Sequence, residues 1–141
     1  MDHSTQGHWC CNVAVPAKSG AGTPVIDQVL YQMKLLNWPE KDMFNVQLAF
    51  EEAITNAVMH GNRSDPQKNI YLKCDVQKDE VVLSIRDEGC GFNPDVLPDP
   101  RHPDSLLVPT GRGIFLIRHI MDKVEFLPEG NGLTMTKSRK S

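Results

Sequence analysis

No stretch of this sequence approaches the roughly 20 continuous apolar residues that a membrane-spanning helix requires, which excludes a helical membrane protein. The first residues, Met1 to His8, hold neither a basic cluster nor an apolar run. A secretion signal is therefore not expected, and the chain is expected to act in the cytoplasm. No internal repeat and no low-complexity segment is present, which excludes solenoids and tethering linkers. Cysteine is sparse: Cys10, Cys11, Cys74 and Cys90 contain no C-x-x-C pair. They offer no zinc knuckle and read as reduced thiols. Positive charge is not in excess either, since 15 Lys and Arg stand against 18 Asp and Glu, a formal net charge of -3. No basic field draws the chain onto phosphate backbones or anionic lipid, so neither nucleic acid nor membrane is an expected partner. Several chemical signatures are missing too. There is no G-x-x-x-x-G-K-[ST], and neither Gly89/Gly91 nor Gly111/Gly113 has the third glycine of a dinucleotide fingerprint. G-x-S-x-G, H-E-x-x-H and the eukaryotic kinase signatures are likewise absent, which removes the hydrolase and zinc-protease readings.

What remains is the composition of one globular domain, 141 residues with 40% hydrophobic and 23% charged side chains. Residues 9–15 read as a strand ended by Pro16, after a tail of residues 1–8. Thr23-Pro24 reads as the N-cap and first turn of an amphipathic helix carrying Ile26, Val29, Leu30, Met33 and Leu36 at helical steps. A second helix is predicted from Asp42 to His60, stopped by Gly61-Asn62. Asn69–Val76 and Val81–Arg86 alternate as the strands of an antiparallel hairpin. From Asn93 to Thr110 no period survives and five prolines accumulate, as in a functional loop. Gly111–Met121 resumes helical spacing, and Val124–Leu127 and Leu133–Thr136 read as two closing strands around the turn 128–132, before a tail of residues 138–141.

Three segments could carry chemistry. In the second helix Glu52, Asn56 and His60 recur every four residues and form one polar stripe, with Phe50, Ala53, Ile54, Ala57 and Val58 on the other faces. Glu51 points elsewhere. An Asn between apolar neighbours in mid-helix calls for something its amide contacts, and an amide oxygen suits Mg2+, which takes few ligands from protein. The same spacing also suits a plain solvent-facing stripe. Asp87-Glu88-Gly89-Cys90-Gly91-Phe92 follows a strand; two glycines two apart let backbone approach a flat ligand while Asp87 accepts a hydrogen bond, though a simple turn has the same look. Thr110-Gly111-Arg112-Gly113 opens a helix whose first N–H groups suit phosphate, with Arg112 or Arg118 adding charge; the glycines equally let a loop turn into the helix.

Taken in order, Glu52-x-x-x-Asn56, Asp87-x-Gly89-x-Gly91 and Gly111-x-Gly113 resemble the N, G1 and G2 boxes of the GHKL ATPases, the group of gyrase, a heat-shock chaperone, histidine kinases and the mismatch-repair ATPase. The resemblance runs from about Trp9 to Lys137. The wording Glu52-Ala53-Ile54-Thr55-Asn56-Ala57-Val58-Met59-His60-Gly61 is similar to the anti-sigma regulatory serine/threonine kinases of the RsbW type.

That resemblance implies a Bergerat-type α/β (α+β) two-layer sandwich, with a mixed, mostly antiparallel sheet and helices on one face, forming a single histidine-kinase-like ATPase domain over residues 1–141. ATP would lie between the helical layer and a lid of residues 93–110. Asn56 would bind Mg2+, Asp87 would read the adenine amino group, and Gly89, Gly91, Gly111, Gly113, Arg112 and Thr134 would complete the ATP site. Glu52 falls on the family's catalytic base, and His60 on a structural or supporting position. The family's Gly-Thr near the last strand reads Gly132-Leu133-Thr134 here. The implied partners are a STAS-type anti-anti-sigma protein as phosphoryl acceptor, a sigma factor and a second copy in a homodimer. The alternative is an ATP-gated binding module without phosphotransfer. A two-component histidine kinase is disfavoured, because nothing ahead of Trp9 supplies a phospho-accepting dimerisation helix.

Overall fold

A computed structural model describes residues 8–18, 20–58, 67–88, 110–127 and 132–139. Strand β1 (His8–Pro16) leads to helices α1 (Thr23–Leu35) and α2 (Glu40–Asn56), the hairpin β2 (Asn69–Gln77) and β3 (Glu80–Arg86), helix α3 (Thr110–Ile120), and strands β4 (Lys123–Phe126) and β5 (Gly132–Ser138). The sheet order is β1-β2-β3-β5-β4. Every described pairing is antiparallel, so the mixed sheet expected from the family resemblance is fully antiparallel among the described residues. The two-layer α+β architecture itself is as expected. His8 and Ser138, read as tail residues, are the outer residues of β1 and β5.

Alternation explains why one sheet face is covered. Ile70, Leu72, Cys74 and Val76 of β2, Val81, Leu83 and Ile85 of β3, and Leu133 and Met135 of β5 all point to one side and are buried. Val29 and Met33 of α1, Val46 and Phe50 of α2 and Ile117 of α3 close over them in a single core. Ala49 and Ala53, one turn apart on α2 and buried, keep that helix close to its neighbours. The start of α1 differs from the expectation: Gly22 holds the cap without a side-chain bond, and Thr23 and Pro24 are already helical. Proline suits that first turn because its missing N–H has no helical partner to lose. Asn37, past the other end of α1, takes the left-handed conformation with φ 60°, which asparagine tolerates better than most residues.

One end of the sandwich is tied by contacts between segments far apart in the chain. Trp38 Nε1 donates to the Gln77 carbonyl at 3.0 Å. The Arg139 guanidinium donates to the carbonyls of Leu36 at 2.9 Å, Lys78 at 3.1 Å and Asn37, and lies over the Trp38 ring. The α1–α2 loop, the β2–β3 turn and the chain end are thereby joined.

Cys10, Cys11 and Cys74 are free thiols, as expected; Cys90 lies outside the described residues. Burial, and secondarily Cys11 opposite it, pushes the Cys74 thiol from 9.0 up to about 12. The sign follows directly. The unfolded thiol ionises first, so this contribution is intact below pH 9.0 and is lost as pH rises toward about 12, by about 4 kcal/mol at most. Cys74→Val is expected to flatten the alkaline fall in urea midpoint relative to wild type; parallel curves for the two proteins would contradict this.

Candidate functional site

Chain direction brings the three singled-out segments to the end opposite the Trp38–Arg139 tie. Helix α2 starts beside that tie, and its 17 residues carry Asn56 about 25 Å away. Strand β3 runs the same way, from Glu80 beside the β2–β3 turn to Arg86, with Asp87 immediately beyond. Helix α3 ends at Ile120, whose carbonyl accepts from Lys137 Nζ at 2.9 Å near the finish of β5, so its first turn, Thr110 to Gly113, lies toward the Asn56 end. Helix α2 packs against both α3 and β3.

Within that end the side chains differ sharply in environment. Glu51 is exposed and accepts from Gln47 Nε2 at 3.3 Å, whereas Glu52 is half-buried one turn before Asn56. The Nδ2 atom of Asn56 is buried without a hydrogen-bond partner among the described residues. An unsatisfied buried polar atom costs about 1–3 kcal/mol, so a group that bonds at this position would be favoured by about that much. Rotating the amide by half a turn presents its oxygen at the same place. Ala57 and Val58 follow Asn56 in a wider, π-type turn, a feature frequent at functional positions.

Asp87 is 7% exposed and continues the helix-facing row of Leu83 and Ile85. Glu88 turns the other way. Its Oε2 accepts from the Asn69 backbone N–H at 3.0 Å and from the Tyr71 hydroxyl at 2.8 Å. That bond to the carboxylate holds the Tyr71 hydroxyl pKa above its ordinary value, while Arg86 lies 4.3 Å over the Tyr71 ring. The segment leaving β3 is thus stapled to the start of β2, which sets where Asp87 sits. Glu88 and Tyr71 were not among the expected site residues. Strand alternation carried two residues past Arg86 turns Asp87 in and Glu88 out, but it gives no sign of Tyr71 on the neighbouring strand.

Thr134 requires a correction. It lies on the uncovered sheet face, opposite Ser84 in register, with its hydroxyl donating to Ser84 Oγ at 3.2 Å. Leu133, not Thr134, faces the helices, so Thr134 is not brought together with Asp87. Arg118 lies 5.4 Å over the Phe126 ring of β4. Gly111, Arg112 and Gly113 fall in the first turn of α3. Gly89, Gly91, His60 and residues 93–109 lie outside the described residues.

The model of the histidine kinase-like ATPase domain matches residues 21–137, a span that contains all three segments. The chain belongs to this family of ATPase domains. Among individual family members, it is 33% identical over 103 residues to an anti-sigma F factor of Oceanobacillus iheyensis, covering 68% of this chain and 69% of that protein. It is 31% identical over 105 residues to an anti-sigma F factor of Bacillus cytotoxicus, covering 69% and 70%. A solved Mycobacterium tuberculosis structure containing RsbU and RsbW domains superposes with a TM-score of 0.62 at 16% identity. It covers 94% of this chain, which spans 32% of that longer one, and at this identity the likeness is one of fold. No helix among the described residues is long and apolar enough to cross a membrane.

Proposed function

We propose that this ATPase-family chain is an ATP-dependent serine/threonine protein kinase and anti-sigma factor, acting in the cytoplasm as a homodimer. The observation that carries this reading is the buried Nδ2 of Asn56, without a hydrogen-bond partner among the described residues, one helical turn beyond Glu52 and at the same end of the sandwich as Asp87. An orphaned amide, a nearby carboxylate and a second, buried carboxylate suit a bound adenine nucleotide with its cation. Asn56 would hold Mg2+ through its oxygen, and Asp87 would accept the hydrogen bond of the adenine amino group. The first-turn N–H groups of α3 at Gly111 and Gly113 would hold phosphate, and Gly89, Gly91 and Arg112 would complete the cradle.

Bound Mg-ATP supplies the transferable phosphoryl group. Glu52 would accept, at its carboxylate, the proton of a partner's serine or threonine hydroxyl as that oxygen bonds to the γ-phosphorus and the bond from phosphorus to the departing ADP breaks. Phosphoryl transfer asks little covalent chemistry of a protein, so holding the hydroxyl in line beside fixed charges does most of the work. The acceptor is a STAS-type anti-anti-sigma protein, and the silenced partner a sigma factor. Similarity to anti-sigma F factors supports this choice.

The test is direct: with Mg-ATP and a STAS protein encoded beside its gene, the chain is expected to label a serine or threonine of that protein. Nucleotide-dependent complex formation without any phosphoprotein would instead identify an ATP-gated binding module. The Glu88 staple yields a milder prediction. Glu88→Ala frees the segment that aims Asp87, and is expected to weaken ATP affinity by about five- to tenfold, the equivalent of one lost hydrogen-bond network. Isothermal titration of the variant checks it, and unchanged affinity would remove the staple from the account.

A further inference from the structure

Two charged side chains stand where periodicity calls for apolar ones, and the nucleotide site uses neither. Helix α2 buries the row Asp42, Val46, Ala49, Phe50 and Ala53, apolar except for its first member, which is 2% exposed. Strand β5 buries Leu133, Met135 and Lys137 on its helix-facing side, and Lys137 is 4% exposed. The one other buried charged side chain among the described residues is Asp87, at the opposite end of the sandwich. A buried charge is costly unless other groups compensate it. Nothing in the phosphoryl chemistry calls for either Asp42 or Lys137.

Both residues line one cavity of about 560 Å³ between the start of α2 and the end of α3. Asn56 lies about 20 Å further along α2, so this cavity is separate from the nucleotide site. Its volume falls within the roughly 300–1,000 Å³ of small-molecule sites. The walls carry both signs. Lys137 Nζ donates to the Ile120 carbonyl at 2.9 Å, and Asp122 Oδ2 stands 3.9 Å from it, beyond hydrogen-bonding distance. An ammonium has three N–H groups, which leaves Lys137 donors for a molecule in the cavity. Lys41 adds a second positive charge, and Asp42 and Asp122 add two negative ones. Pro39 and Met121 supply apolar wall. Two lysines against two aspartates favour neither a simple anion nor a simple cation, but a molecule that carries both signs close together.

We propose that this cavity binds a free α-amino acid with an apolar side chain. The carboxylate of the amino acid accepts a hydrogen bond from Lys137 Nζ, and its ammonium faces the carboxylates of Asp42 and Asp122. Such charge-assisted bonds are the strong ones. Asp122 Oδ2 already accepts from the Ser138 backbone N–H at 2.6 Å, and a carboxylate has lone pairs for more than one donor. The apolar side chain lies against Pro39 and Met121. This site draws on residues that the kinase reading leaves unused, so it stands or falls apart from that reading.

Isothermal titration of the full chain tests this with L-leucine and with two relatives that each lack one of its charges, isocaproate and isoamylamine. The wild type is expected to bind leucine saturably and each relative at least about tenfold more weakly, the equivalent of one lost charge-assisted bond. Lys137→Met is expected to erase the preference for leucine over isoamylamine, since the carboxylate then has no ammonium to meet. Asn45→Trp places a large ring in the cavity from a half-buried position on its wall and is expected to abolish leucine binding. Circular dichroism and ATP titration of Asn45→Trp are expected to match wild type, so loss of leucine alone is told apart from loss of the fold or of the nucleotide site. A wild type that binds no leucine, or binds all three compounds equally, would overturn the proposal. Leucine binding that survives Asn45→Trp would overturn it as well.

Discussion

Replacing Glu52 with alanine is expected to slow phosphoryl transfer by about 10²- to 10⁴-fold, the usual contribution of a positioned general base, while Glu51→Ala leaves the rate unchanged. The two glutamates are adjacent in sequence and identical in chemistry, so only their placement on α2 separates them. Glu51 is exposed beside Gln47, and Glu52 is half-buried on the stripe it shares with Asn56, whose Nδ2 is buried without a hydrogen-bond partner among the described residues. A base acts on the acceptor hydroxyl rather than on nucleotide affinity, so ATP binding by Glu52→Ala is expected to stay near that of wild type. Single-turnover rates with the STAS acceptor, beside calorimetric affinities, read both quantities. Equal rates for the two alanine variants would remove Glu52 from the chemistry.

Gly132→Ala is expected to destabilise the fold by about 3 kcal/mol or more, well above the usual surface substitution. A Cβ at Gly132 would lie 2.1 Å from the Ile85 carbonyl oxygen and 2.9 Å from Arg86 Cα. Both are backbone atoms of β3, the strand paired with Gly132, so relief requires separating β3 from β5. Gly20→Ala is the control. Its φ of 82° disfavours a side chain but the space around it is open, and the expected cost is about 1 kcal/mol. Because Asp87 follows Arg86 directly, nucleotide affinity of Gly132→Ala is expected to fall along with the urea midpoint. A midpoint equal to wild type would mean that the β3–β5 approach is looser than the register implies.

The same two strands mark how far local pattern reaches. Alternation and helical spacing were legible: the eight elements among the described residues fall close to where residue periodicity puts them, and the polar stripe Glu52–Asn56 lies on the helix it defines. What was not legible depends on contacts across the chain. Arg139 closes the α1–α2 loop from 103 positions beyond Leu36, and nothing near Arg139 signals that task. Thr134 was singled out because the family's Gly-Thr reads Gly132-Leu133-Thr134 here, but strand period sends it to the uncovered face and Leu133 to the core. Thr23 lost the helix cap to Gly22 because a following Pro24 fits one position inside the helix as well as at its threshold. Glu88 escaped notice because a carboxylate before glycine reads as turn polarity until Tyr71 and Asn69 are brought beside it.

Asn56, whose Nδ2 has no hydrogen-bond partner among the described residues, is proposed to complete a cation-bearing nucleotide site. Isothermal titration of the wild type and Asn56→Leu with ATP and excess Mg2+ tests it most directly. Saturable binding by the wild type and its loss in the variant are expected, with a cooperative thermal transition retained, since the Nδ2 that leucine removes has no hydrogen-bond partner among the described residues. No heat with the wild type, or equal affinity in the two proteins, would contradict it.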